Sequence, residues 1–229
     1  MKITWIGQSG YILDDGKTTI CIDPYLSDVV NRIANRPRMV TAPFLPENFK
    51  INVVICTHNH LDHTDIDAIP IMDKGILFLA PSDVEMTLLE CGVKNYKPFD
   101  EGAVVRIGDF EVKAVFAEHS VPAIGVIVRH SGITMYFSGD TEYNKKLEEL
   151  KGCNIDIMFI CINGKLGNMN VEDAVKLTKI INPKVGVPTH YGMFESNTEN
   201  PSLYTSELSC GFEMKHNIEY DVAEVIKSV

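Results

Sequence analysis

The chain has 229 residues, 45% of them apolar and 23% charged, and a formal net charge of −10. That length can bury one sizeable core, so a single domain spanning residues 1–229 is expected. The acidic balance argues against a general nucleic-acid or anionic-membrane surface, so neither a long nucleic acid nor a membrane is an expected partner. The six cysteines, Cys21, Cys56, Cys91, Cys153, Cys161 and Cys210, form no C-x-x-C pair and several sit in apolar runs. They read as buried thiols of a reducing compartment. The amino terminus starts at once with strand-like Ile3-Thr4-Trp5-Ile6, with no charged segment leading into an apolar one, and no later run approaches a membrane span. A cytoplasmic location is the expectation.

Residues 2–23 predict three strands, broken at Gly7-Gln8-Ser9-Gly10 and at the hairpin signal Asp14-Asp15-Gly16. The third strand ends at Asp23-Pro24, where a carboxylate can reach into a site or simply close a turn. Residues 25–50 are less regular and hold Arg32, Arg36 and Arg38, three of the five arginines in the chain. A guanidinium fork suits phosphate or carboxylate, so this Pro-containing segment is a candidate anion clamp and flap; a solvated face or an oligomer contact is the competing reading.

Val53-Val54-Ile55-Cys56 then predicts a short buried strand, rich in β-branched residues. It runs directly into Thr57-His58-Asn59-His60-Leu61-Asp62-His63, with three histidines and an aspartate inside six positions. Alternation along an extended segment places His58 and His60 on one side, and the adjacent pair Asp62 and His63 adds ligand types on the other. One loop could thus serve two neighbouring metal ions.

Downstream, a short helix is expected at 66–72, a strand at 76–80, and a helix at 83–91 capped by Ser82 and ended by Gly92. Strands follow at 104–107 and 110–117, the latter running into Glu118-His119-Ser120. A hairpin at 124–137 turns at His130-Ser131-Gly132 and runs into Ser138-Gly139-Asp140-Thr141. The last third alternates helix and strand. It has a helix around Leu147-Leu150, a strand at 155–160 ending in Asn163-Gly164, and a helix from the cap Asn170 to Ile181. A strand at 185–187 ends in Pro188-Thr189-His190-Tyr191, a final helix is expected at 202–214, and strands near Ile218 and at 222–226.

His58, His60, Asp62, His63, His119, Asp140 and His190 all lie at or just beyond predicted strand ends, which accounts for five of the seven histidines. His130 and His216 read as ordinary surface residues. Imidazole and carboxylate without thiolate suit Zn²⁺, Mn²⁺ or Fe²⁺. Two clusters can be drawn, His58, His60 and His119 for one ion and Asp62, His63 and His190 for the other, with Asp140 able to bridge.

The pattern H-x-H-x-D-H, followed by His119, Asp140 in a G-D-T context and His190, resembles the metallo-β-lactamase superfamily. The resemblance runs from about residue 2 to residue 195. It implies an α/β (α+β) chain folded as a four-layer αββα sandwich, with a dinuclear site at the edge of its two sheets. Asp23 matches the first motif of the superfamily, whose aspartate supports the metal loop from behind the ligands. Thr4-Trp5-Ile6-Gly7, Thr41-Ala42-Pro43-Phe44, Phe137-Ser138-Gly139-Asp140 and Val187-Pro188-Thr189-His190-Tyr191 are similar to the ascorbate-6-phosphate lactonase-like hydrolases, a branch often dependent on manganese or zinc. The chain departs from that branch in being shorter, in carrying Gln8 where many relatives have histidine, and in following the general superfamily pattern around His119.

The expected chemistry is hydrolysis by a water activated between two divalent metal ions, Zn²⁺ or Mn²⁺ ahead of Fe²⁺. Asp62 would orient the nucleophile and shuttle a proton, and Asp23 would hold a ligating histidine by its second nitrogen. Arg32, Arg36, Arg38, Tyr143 and Tyr191 are the candidates for holding a small anionic substrate such as a sugar-phosphate lactone or ester. Competing readings are a phosphodiesterase or nuclease on the same core, a di-iron oxygen-reducing core, and a metal-binding protein without turnover. A homo-oligomer is compatible with all of them.

Overall fold

The computed structural model describes residues 1–229. Six strands in chain order begin the first sheet: β1 (Lys2–Gly7), β2 (Gly10–Asp14), β3 (Thr19–Ile22), β4 (Val53–Ile55), β5 (Leu77–Ala80) and β6 (Tyr96–Pro98). The next six form the second sheet: β7 (Val104–Ile107), β8 (Phe110–Phe116), β9 (Ile124–His130), β10 (Ile133–Phe137), β11 (Ile157–Cys161) and β12 (Val185–Thr189). β13 (Glu219–Asp221) returns to the free edge of β1, so the sheet orders are β13-β1-β2-β3-β4-β5-β6 and β12-β11-β10-β9-β8-β7. Five helices complete the chain: α1 (Val29–Ala34), α2 (Glu85–Glu90), α3 (Val171–Ile181), α4 (Ser202–Thr205) and α5 (Val222–Lys227).

The inner faces of the two sheets share one core that includes Tyr11, Leu13, Ile20, Val53, Val112, Val126, Met135 and Phe159. The outer face of the first sheet, with Cys21, Val54 and Phe78, packs beneath Val84 and Leu88. Helix α3 lays Ala174, Leu177 and Ile181 into the principal core. This is the expected sandwich of two sheets between helical layers. β4 and β11 are buried along their whole length because they lie in parallel pairings covered on both faces. β8 alternates instead, burying Phe110, Val112 and Ala114. None of the helices is long and apolar enough to cross a membrane, and all six cysteines are free thiols.

Strand topology positions the site. β3, β4, β5 and β6 run parallel, as do β10, β11 and β12. Their carboxyl ends lie at one edge of the sandwich, the general location for ligands on parallel sheets. The last residues of β3, β4, β10 and β12 lead directly into Asp23, the His58–His63 loop, Asp140 and His190.

Several expected elements differ. The helix at 66–72 is a single 3-10 turn, Ile69–Ile71, because Pro70 offers no N–H. Ser82 caps no helix: its N–H and hydroxyl both donate to Asp100, and α2 starts later, at Glu85. The stretch around Leu147–Leu150 is 3-10 over Lys145–Cys153. The helix expected at 202–214 stops at Thr205, since the chain turns back to pair with β12, where Gly186 N donates to Cys210 O and Phe212 N to Gly186 O. Residues 222–226 are helical in α5, capped by the Asp221 carboxylate accepting from Ala223 N and Glu224 N. Helix α1 and strand β6 were not expected, both being short and poorly patterned. Asn170 does cap α3, accepting from Asp173 N. His130 and His216 are not plain surface residues. His130 packs on Phe110 and approaches Asp15 at 3.2 Å, and His216 meets the edge of Trp5 with its Nε2 3.1 Å from Ile6 O.

Candidate metal centre

Beyond β4 the chain turns tightly, with His63 N and Thr64 N both donating to His60 O, and the turn is stitched to the start of β9 by Ile124 N donating to Thr57 O. This places the loop against His119, Asp140 and His190. One group comprises His58, His60, His119 and Asp140, another Asp62, His63 and His190; within each, the ligand atoms all lie within 4.8 Å of one another. His60 Nδ1 is 2.9 Å from His58 Nε2 and 3.1 Å from His119 Nε2. Asp140 lies between the groups, its Oδ1 3.2 Å from His63 Nε2 and 3.1 Å from His190 Nε2, and its Oδ2 3.9 Å from His119 Nε2. Asp62 Oδ2 is 3.9 Å from His63 Nε2 and 3.7 Å from His190 Nε2.

The surroundings decide which ring nitrogens face inward. His119 Nδ1 lies 2.9 Å from the Gly167 carbonyl, which can only accept, so Nδ1 carries the hydrogen and Nε2 keeps its lone pair for the site. The Asp23 carboxylate does the same for His63, at 2.8 Å from Nδ1. Thr57 Oγ1 spends its single hydrogen on Asp23 Oδ2, so at 3.1 Å from His58 Nδ1 it accepts from the ring. Three histidines thus turn basic Nε2 atoms towards one space, and His60 adds Nδ1. His63 Nε2 and Asp140 Oδ1 are buried with no aligned hydrogen-bond partner. Converging lone pairs and orphaned buried polar atoms are what a cation would satisfy, and an all-nitrogen-and-oxygen donor set suits borderline or hard divalent ions. The residues therefore fit a metal.

Electrostatics separate the histidines. Burial, reinforced by His63, holds His58 well below the usual imidazole range, and burial with His119 lowers His60. Burial also opposes charge on His63, but Asp140, Asp23 and Asp62 outweigh it and raise that ring well above the usual range. Burial likewise lifts Asp140, yet His190 and His63 overcome it and hold the carboxyl well below its usual value. Asp140 is thereby an anion at the meeting point of both groups.

Asp23 is fully buried at φ +45°, a left-handed conformation that Asp tolerates better than most residues. From there its carboxylate accepts from Thr57 N, Thr57 Oγ1 and His63 Nδ1. Asp23→Asn keeps the shape but places an amide donor among donors. It is expected to weaken divalent-ion binding by about 10–100-fold, read by metal titration of the chelator-stripped protein.

Only one of the five expected substrate-binding residues lines the cleft. Arg36 does, in a cavity of about 460 Å³ that also includes His60, Asp62, Asp140 and His190. Arg32 instead makes a two-pronged pair with Asp67, at 2.8 and 2.6 Å, on the exposed face of α1. Arg38 lies over the Tyr25 ring and donates to Val40 O and Ser27 O, bracing the segment from within. Tyr143 donates to Glu148 beneath the Lys176 ammonium, away from the cleft. Tyr191 is packed into the core 4.9 Å from Trp5. Residues not anticipated as site residues are Gln8, whose buried Nε2 donates to Asp62 Oδ2 at 2.7 Å, and the cleft residues Val30, Leu61, Ser120, Leu166, Phe194 and Asn197. For Gln8 the sequence offers two signals, the Gly7–Gly10 turn, in which it sits at φ +50°, and its place where many relatives carry histidine.

With this geometry the sequence profile of the beta-lactamase superfamily domain agrees, matching residues 2–190. The chain belongs to the metallo-β-lactamase superfamily. It is similar to a UPF0173 metal-dependent hydrolase of Archaeoglobus fulgidus, 29% identical over 217 residues that cover 88% of this chain and 87% of the relative. Among solved structures, Igni18, a metallo hydrolase of Ignicoccus hospitalis, superposes with a TM-score of 0.78 at 21% identity, covering 96% of this chain and 98% of the other. An isothiocyanate hydrolase from Delia radicum gut bacteria does so with a TM-score of 0.79 at 20% identity and the same coverage. At these identities the two structures speak for the fold alone.

Proposed function

We propose that the chain is a dinuclear hydrolase of small esters or lactones that carry one anionic group. The observation that supports this reading is the pair of adjoining ligand groups at the floor of the cleft, with Arg36 in its wall free of any ion pair. Divalent ions held there, Zn²⁺ or Mn²⁺, supply Lewis acidity, polarising a carbonyl or phosphoryl oxygen and making water nucleophilic near neutral pH.

The protein's own groups do the rest. Asp62, held at Oδ2 by Gln8 Nε2, orients the attacking water and takes its proton. Asp140 carries the negative charge shared between the two groups. Asp23 keeps His63 in the tautomer that presents Nε2. Arg36 receives the anionic substituent in a charge-assisted hydrogen bond. A sugar-phosphate lactone falls within this class, as in the lactonase-like branch that the chain resembles.

The test is one activity panel on zinc- and manganese-loaded protein, comparing phosphorylated lactones, anionic esters and simple phosphodiesters. Arg36→Ala is expected to raise KM for an anionic substrate about 10–100-fold, the loss of one charged hydrogen bond, with little change in kcat. An unchanged KM would remove Arg36 from substrate binding. Turnover confined to phosphodiesters would replace the ester reading by phosphodiester cleavage on the same centre.

A further inference from the structure

The lip of the cleft carries a residue that its backbone does not favour. Leu166 sits at φ +56°. The other non-glycine residues in that region are polar, four of them asparagines, and Leu166 is the one aliphatic side chain among them. A branched apolar residue gains nothing from the left-handed region, where glycine or asparagine would be expected. It is also 57% exposed, so burial in the fold does not offset the strain. A side chain that is disfavoured both by backbone and by solvent is a candidate for function.

The conformation is enforced from both sides. Asn163 Nδ2 donates to Lys165 O, and Lys165 Nζ donates to Ser196 O. On the other side Gly167 O receives His119 Nδ1, and Gly167 packs so closely on that ring that a Cβ there would stand 2.8 Å from Nδ1. Met169 N then anchors to Thr141 O. The short segment that sets the tautomer of His119 therefore also projects Leu166 into the cleft.

Leu166 is not alone there. Val30, Leu61 and Phe194 line the same cavity, so four apolar side chains share it with the ligand groups, one cation, Arg36, and the polar Ser120 and Asn197. Val30 and Phe194 are almost wholly buried, whereas Leu166 extends the patch outward into solvent. A polyhydroxylated substrate would leave its hydroxyls against these groups without partners. An aliphatic chain would bury them.

We infer that Leu166 is a specificity-determining residue, and that the preferred substrate is an ester or lactone with an unbranched aliphatic segment and an acidic group. The aliphatic segment packs against Leu166, Leu61, Val30 and Phe194, and the acidic group meets Arg36. This rests on the hydrolase reading above and narrows its substrate.

The test uses metal-loaded protein and the monomethyl esters of succinic, adipic and suberic acids, a series of lengthening methylene chain with a constant carboxylate. For the wild type, kcat/KM should rise by about 4-fold per methylene until the cleft is filled. In Leu166→Gly and Leu166→Asn, both comfortable at positive φ, that dependence should collapse while the melting temperature stays level or rises. The unreactive diacids, titrated calorimetrically into the same proteins, should bind in the same order and lose it in both variants. Absence of turnover on every ester, lactone and phosphodiester would defeat the hydrolase reading, with diacid binding still judging the lip. Turnover or binding indifferent to chain length, or a dependence that survives both substitutions, would overturn the role of Leu166. So would faster turnover of a sugar-phosphate lactone than of every aliphatic ester.

Discussion

Asp140→Ala is expected to abolish tight metal loading and to lower hydrolysis by at least ~10³-fold, the loss of several kcal/mol of transition-state stabilisation. Its carboxylate approaches His63, His190 and His119, so it belongs to neither ligand group alone. Removing it takes away the one anion set between them and leaves rings that repel one another. Asp140→Asn should lose nearly as much, because it keeps the shape but not the charge. Metal content by elemental analysis, together with turnover on the best ester found, reads the result. Two bound ions per chain with full activity in the alanine variant would refute the shared role of Asp140.

Phe159→Ala is expected to destabilise the fold by about 3–5 kcal/mol, the usual cost of an aromatic side chain removed from a packed core. Phe159 lies in the middle of β11, 1% exposed, stacked on Phe137 at 4.4 Å and tilted against Tyr11 at 4.6 Å. It therefore joins the two sheets across their inner faces. For a chain of this size the melting temperature should fall by roughly 6–20 °C. The damage should reach the metal centre, because Ser138 N donates to Phe159 O and Cys161 N bonds to Ser138 Oγ, two residues before Asp140. Phe159→Leu, which refills most of the volume, should recover more than half of the loss. Denaturant and thermal melts of the metal-free protein measure it without interference from ligand stabilisation.

The two sheets were legible because parallel strands covered on both faces must be continuously apolar, and β4 and β11 are. Helix α3 was legible for a local reason: Asn170 caps it and its apolar spacing is regular. Elements governed by distant partners were not. The chain after Thr205 looks helical, but backbone pairing with Gly186 draws it into a return turn. Residues 222–226 are mostly apolar, with three β-branched side chains that suit a strand, yet Asp221 satisfies the first amide groups of a helix and the helix forms.

The residues that could hold a metal could be picked out as candidates from the chain itself, because few residue types bind divalent ions and here they follow apolar runs, and the structure brings them together at one edge. The arginines could not be sorted in that way. Arg32, Arg36 and Arg38 are equivalent in local sequence, and their fates depend on Asp67, on the Tyr25 ring and on the open cleft. A guanidinium takes whichever acceptor the fold brings near, and Asp67 lies thirty-five positions away from Arg32. Leu166 was equally hidden, since an exposed leucine in a loop means nothing until its backbone angle and its neighbours are known. The chain alone determined which residue types are available to hold a metal, because that depends on the donor atoms each side chain carries. Tertiary structure decided the side of the site that faces the substrate, because there the choice between brace and binding group is made by packing between segments far apart in sequence.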